Sequence, residues 1–270
     1  MANVKTNLNF HQTFSPDANA ISMLLSVAEE RTAYSKEEIS DITGIPTGAS
    51  SGKVEPFIKY AYFMGLIEDK YKNKKHLLSL TPLGKEVKYQ DETLQEKATI
   101  YLCHSNLVLS TGATLWNFIF SSIIPRYGNN LRTTVFIDAL KNHYKGIDVN
   151  LAPFNSSYNG MFRKLSIFKN TPNEIKFMNT MYKEPYLYIY AYIIMKEWEN
   201  LHEGVQELTS IDLYNMNMDN KLCLSRSDFD KVLSILENKG MIKVERLLTP
   251  FVVLKLVSAN DMIEKIYSTI

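Results

Sequence analysis

Twice, once near each end, the chain runs from a helical period through a glycine into a hydrophobic pair and a charged strand. The passages are Phe63-Met64-Gly65-Leu66-Ile67 and Asn238-Lys239-Gly240-Met241-Ile242. A glycine directly after an amphipathic run reads as a helix stop. The strand that follows then needs a hairpin partner. Ahead of the first passage, residues 17–31 set Ile21, Leu24, Leu25 and Ala28 at helical spacing. Ser35-Lys36-Glu37-Glu38 is a capping box that opens a short helix ending at Gly44. Residues 53–64 gather Val54, Phe57, Ile58 and Ala61 on one face. Residues 66–70 and 76–80 are strand candidates around a polar tip at 71–75. Three helices and a hairpin form the order of a winged helix-turn-helix, whose third helix docks in the major groove. At the other end, residues 210–215 and 225–239 read as helices, and 243–247 and 251–257 as strands around Pro250.

Between these ends the apolar spacing predicts helices over 93–109, 114–124, 131–144, 155–168 and 185–201, punctuated by Pro153, Pro172 and Pro185. The expected architecture is mainly α, with winged helix-turn-helix units at the N- and C-terminal ends and a helical middle. An N-terminal segment plus winged helix would occupy 1–90, a helical middle domain 91–180, and a C-terminal helical, winged-helix-like domain 181–270. Composition fits a globular chain: 45% hydrophobic and 22% charged residues exclude wholesale disorder. A net charge of +1 excludes a globally basic coat, so any nucleic-acid site must be a local patch. Cys103 and Cys223 stand alone, which excludes a disulfide scaffold and a four-cysteine zinc site. Residues 1–14 hold no apolar signal core, and the apolar run 186–195 is too short to span a bilayer. These features predict a soluble, cytoplasmic protein with no membrane contact.

Chemistry-bearing residues concentrate at the first hairpin. Lys70, Lys72, Lys74, Lys75 and His76 could face phosphates, with Lys53 and Lys59 on the preceding helix and Ser50 and Ser51 at its start. That helix has no arginine or asparagine, the usual base readers, so backbone contact suits it better than sequence readout. The competing reading is a solvated hairpin on a protein-docking module, and such modules also form homodimers. Adjacent Cys103 and His104 point about 100° apart on a helix and cannot form a dyad with each other. Tyr182, Tyr186, Tyr188, Tyr190 and Tyr192 form a stripe read as packing rather than a stacking platform. Asp138 with Lys141, and Asp228 with Lys231, read as surface ion pairs. No phosphate loop or dinucleotide fingerprint is present. The expectation is a chain without catalytic residues, metal site or cofactor; a nuclease is the least favoured reading.

The chain resembles a bacterial family catalogued as domain of unknown function 4007. The resemblance runs over residues 8–120. It is carried by Phe10-His11-Gln12-Thr13-Phe14, by Leu80-Thr81-Pro82-Leu83-Gly84 leading to Asp91, by residues 98–107 with His104, and by Ala113-Thr114-Leu115-Trp116-Asn117-Phe118-Ile119-Phe120. Gln12 stands where the family usually has glutamate, and the family's Arg-x-x-Trp is absent from residues 17–23. The resemblance implies a component of a bacterial anti-phage defence or DNA-modification system. Its partners there would be double-stranded DNA and other subunits, among them a phosphoadenosine-phosphosulfate-reductase-like protein. The favoured function is DNA binding without catalysis, and the alternative is a protein-interaction scaffold of such a system. Because the resemblance covers both stretches, the opening segment is expected to fold back on the helix bearing His104. His11 or Thr13 would then lie near that histidine, and Trp116 would pack in the core.

Overall fold

The computed structural model describes residues 8–48, 52–247 and 249–270. In chain order, α1 is Ala18–Glu30, β1 Ala33–Tyr34, α2 Lys36–Thr43, α3 Val54–Phe63, β2 Ile67–Lys72, β3 Lys75–Leu80, α4 Pro82–Gln90 and α5 Lys97–Leu107. Then come α6 Thr114–Phe118, a π-helical turn Ile119–Ile123, α7 Ile124–Tyr127, β4 Asn130–Arg132, α8 Thr133–His143, α9 Ala152–Asn159 and a 3-10 turn Met161–Leu165. The last part holds β5 Phe168–Asn170, β6 Glu174–Phe177, α10 Leu187–Leu201, β7 Glu207–Thr209, α11 Ser210–Asn215, α12 Met218–Lys221, α13 Arg226–Asn238, β8 Ile242–Glu245 and β9 Val252–Lys255.

The expected mainly helical architecture, winged units at the ends and a helical middle, is not the one that forms. Strands build three antiparallel sheets, ordered β1-β3-β2, β4-β6-β5 and β7-β9-β8, and the fold is mixed α and β. The middle has a sheet of its own, with Leu131 opposite Ile175 and Phe168 opposite Phe177. Its strands are only three or four residues long, too short to show the period-2 alternation that marks a strand. The helix expected over 131–144 begins instead as β4.

The chain folds into two compact units, each gathered from separated stretches. The first comprises Met1–Leu107, Gly112–Thr114 and Ile137–Ser166; the second comprises Val108–Thr111, Leu115–Phe136 and Ile167–Ile270. In the first unit every residue from 98 to 107 is buried, so α5 is wrapped on all sides. The phrase Thr81-Pro82-Leu83-Gly84 has a packing role there. Thr81 Oγ1 donates to the Gly65 carbonyl (2.6 Å) and accepts from the Gly84 N–H (2.8 Å). A Cβ on Gly84 would sit 1.8 Å from the Leu66 carbonyl oxygen, so glycine alone permits this close approach.

In the second unit Trp116 and Trp198 are fully buried, and Trp198 Nε1 donates to the Val205 carbonyl (2.8 Å). Tyr190 and Tyr192 of the stripe are buried on α10. Glu197, with 0% exposure, accepts from Lys221 Nζ (2.5 Å), from the Ser110 N–H and from Ser110 Oγ (3.0 Å each). That carboxylate ties α10, α12 and residue 110 together. No helix among the described residues is long and apolar enough to cross a membrane.

Candidate nucleic-acid interface

The hairpin β2–β3 keeps register from Ile67 opposite Leu80 to Lys72 opposite Lys75, leaving Asn73-Lys74 as a two-residue loop. Both loop residues have positive φ, 53° and 60°, the arrangement of a type I′ turn. This turn fixes where the lysines stand. Lys70, Lys72, Lys74 and Lys75 are all exposed. They are not equivalent. Lys75 pairs with Glu38 at the first turn of α2 (3.1 Å), while Lys59 approaches the buried carboxylate of Asp69 (3.7 Å). His76 is buried, holds Asp69 through Nδ1 (3.0 Å) and packs its ring on Tyr71. It therefore braces the hairpin from within. Among the described residues no ion pair engages Lys70, Lys72 or Lys74. Ser50 and Ser51 lie outside the described residues.

A second cationic feature lies in the same unit: an open cavity of about 820 Å³. Two elements bring cations to it. Lys53 stands at the start of α3, its N–H donating to the Pro46 carbonyl (2.8 Å) and its Nζ 5.4 Å from the centre of the Phe14 ring. Arg163 and Lys164 come from the 3-10 turn Met161–Leu165. Residues three apart share a face of such a turn. Phe162 and Leu165 are buried, and the two cations between them are exposed at the cavity. Lys164 Nζ donates to the Gln95 carbonyl (2.8 Å). Asp17 also lines the cavity and caps α1 by accepting from the Ala20 N–H (2.9 Å).

Leu94 and Gln95 complete the wall through a strained turn. Leu94 has φ 53°, unusual for a bulky residue. The turn is pinned by buried Asp91, whose two oxygens accept from the Gln95 and Glu96 N–H groups (3.0 and 2.9 Å). Sequence reasoning noted Asp91 only as part of a phrase and missed Asp17, Arg163 and Lys164. The Ser15-Pro16-Asp17 start signal could have marked Asp17 as a cap. Nothing local could have brought residues 163 and 164 to a cavity shared with Lys53.

The opening segment is tied down. Phe10 meets the rings of Tyr60 and Phe63 on α3 (4.9 Å each), and Tyr60 donates to the Phe14 carbonyl (3.0 Å). Asn9 and Asn150 anchor it further, with Asn150 Nδ2 donating to the Gln12 carbonyl (2.7 Å) and Asn9 Nδ2 to the Asp148 carbonyl (2.8 Å). His11 is fully buried and its pKa is lowered by burial. Thr13 is exposed at the cavity, so Thr13 and Lys53, read separately from the sequence, share one site. His104 is fully buried, with Nε2 2.9 Å from the Tyr158 hydroxyl and its ring against Phe162. Burial pushes its pKa down to about 3. Burial raises the pKa of both Cys103 and Cys223, which leaves them poor nucleophiles.

The two cationic features share one scaffold. Glu38, which holds Lys75, lies in the first turn of α2, whereas Thr43 and Gly44 at its other end line the cavity. Helix α2 has eight residues, so the two ends are about 12 Å apart.

No family model matches the chain, and no curated protein is detectably similar. Two solved structures share the fold. One is described as the SspB crystal structure and the other as magnesium ion-bound SspB. They give TM-scores of 0.71 and 0.72 at 12% identity, each covering 96% of this chain and 86% of that one. This likeness extends over the mixed helix-and-sheet architecture. As for the magnesium, among the described residues here no three His, Cys, Asp or Glu side chains gather around a point where an ion could be held.

Proposed function

We propose that this chain is a DNA-binding, non-catalytic component of a bacterial DNA-modification or anti-phage defence system. It belongs by this reading to the family resembled in residues 8–120, and other subunits, a phosphoadenosine-phosphosulfate-reductase-like protein among them, would carry the chemistry. The observation that carries the reading is the exposed lysines Lys70, Lys72 and Lys74, in no ion pair among the described residues, on a hairpin tied to α2 through Lys75 and Glu38, in the same unit as the cavity cations. Lys70, Lys72 and Lys74 supply charge without base readout, and the absence of arginine and asparagine from α3 agrees with backbone recognition.

The test is fluorescence anisotropy of a labelled duplex titrated with the chain across a salt series. Binding should weaken linearly in log K against log salt. Changing Lys70, Lys72 and Lys74 to alanine should flatten that slope by up to about 2.7, at about 0.9 per lost phosphate contact. A chain that fails to bind duplex at low salt, yet captures a partner subunit, would instead be the scaffold of the alternative reading.

A further inference from the structure

The cavity has more in it than a backbone groove requires. Phosphates running along a surface need exposed cations. They do not need a recess of about 820 Å³ floored by Ile45 and Phe57, with an aromatic ring at its edge. That size is within the range of small-molecule sites, which run from about 300 to 1,000 Å³. The ring is Phe14. It is half-buried, and the Tyr60 hydroxyl bond to its carbonyl fixes its backbone. Lys53 Nζ lies over one face of that ring, 5.4 Å from its centre, so a flat group stacked on the other face would carry any attached anion toward a cation at the ring.

We propose that the cavity receives a single nucleotide swung out of a DNA duplex. Its base stacks on Phe14, and its phosphates are held by Lys53, Arg163 and Lys164. This rests on the DNA-binding reading above and goes beyond it by naming the unit of DNA that the protein encloses. Three features of the site fit that ligand together. The cations come from two elements far apart in sequence, an arrangement that surrounds a phosphate rather than tracking a line of them. The Asp17 carboxylate, which uses one oxygen to cap α1, offers the other as acceptor for the exocyclic amino group of adenine or cytosine. The hairpin lysines, on the strand pair that Lys75 ties to α2, would hold the flanking backbone while one nucleotide leaves the stack. Unstacking costs least where a base is already unpaired, so the site should show itself as a preference for such DNA.

The experiment compares two labelled duplexes of the same length, one fully paired and one with a single extrahelical adenine, with dAMP as a separate competitor. The intact chain should bind the extrahelical duplex at least about tenfold more tightly, the scale of one base stacked on an aromatic ring. Phe14→Leu, which keeps the apolar volume, and Arg163→Gln, an exposed change that leaves packing alone, should each shrink that ratio toward one. Changing Lys72 and Lys74 to alanine should weaken both duplexes together and leave the ratio. Equal binding of the two duplexes overturns the nucleotide cavity while the DNA-binding reading stands. If dAMP also binds in that case, the site serves free nucleotides and not DNA. Failure to bind either duplex overturns both readings at once.

Discussion

Glu197 is a carboxylate with none of its surface exposed, and its partners are Lys221, Ser110 and Asn200. Such a pair recovers its desolvation only while every bond is made. Removing one member strands the other, at a typical cost of about 3–5 kcal/mol. Glu197→Gln and Lys221→Met should each lower stability by that order in urea unfolding. The double change to Leu and Met should cost less than the sum, because no charge is left uncompensated. Single variants within about 0.5 kcal/mol of the parent would show that water, not Lys221, solvates the acid. His104 supplies a pH test. Its folded pKa is depressed by burial to about 3, below the ordinary 6.5. Above 6.5 both states are neutral there and the residue adds no slope. Between 6.5 and 3 the unfolded chain takes up a proton that the native chain refuses. Stability should therefore fall as pH drops through that window, by at most about 1.4 kcal/mol per pH unit for this residue. His11, shifted the same way, steepens the fall. Unfolding curves at a series of pH values should show His104→Gln with a shallower decline than the parent. An unchanged slope would mean that His104 titrates normally.

At the scale of elements, the hairpin β2–β3 couples stability to binding. A type I′ loop favours glycine at both central positions, since left-handed φ costs other residues about 1 kcal/mol each. Lys74 occupies such a position at φ 60°. Lys74→Gly should raise stability by up to about 1 kcal/mol and also weaken duplex binding at low salt, by the loss of one phosphate contact. Calorimetry and anisotropy on the same variant should move in opposite directions. If binding survives intact, the lysine at the tip is merely solvated. This hairpin was legible in the sequence because its signals are local: Gly65 stops α3, a polar tip separates two apolar runs, and Thr81-Pro82 starts α4. The capping box at Ser35 was legible for the same reason, and both of its bonds form. The sheet β4-β6-β5 was not legible. Its strands are too brief to alternate, and β4 pairs with a strand some forty residues on, which no local rule foresees. The cavity was half legible. Lys53 and Thr13 drew notice as members of separate groups, while Arg163 and Lys164 reach the site only because Phe162 and Leu165 bury on the other face of one short turn.

For the molecule as a whole, the sequence order of the elements and their grouping in space part company. Each compact unit draws on stretches far apart in the chain. The cause is α5. A helix buried on every residue from 98 to 107 cannot be covered by one neighbour. Within its unit, His104 is met by Tyr158 and Phe162, more than fifty residues downstream. Phe154 and Leu165 from the same later stretch are also buried. A fragment of residues 1–107 would keep the first sheet and the opening segment. It would lack the later residues that close over α5, and it would bare an apolar helix that has no solvent face. Such a fragment should retain helical circular dichroism, bind a hydrophobic dye and melt without a cooperative transition, the marks of collapse without fixed packing. The full chain should melt in one cooperative transition and take up far less of the dye. A sharp melt of the 1–107 fragment with no dye uptake would show that α5 needs no cover from residues 137–166, and the early stretch would then be a domain in its own right.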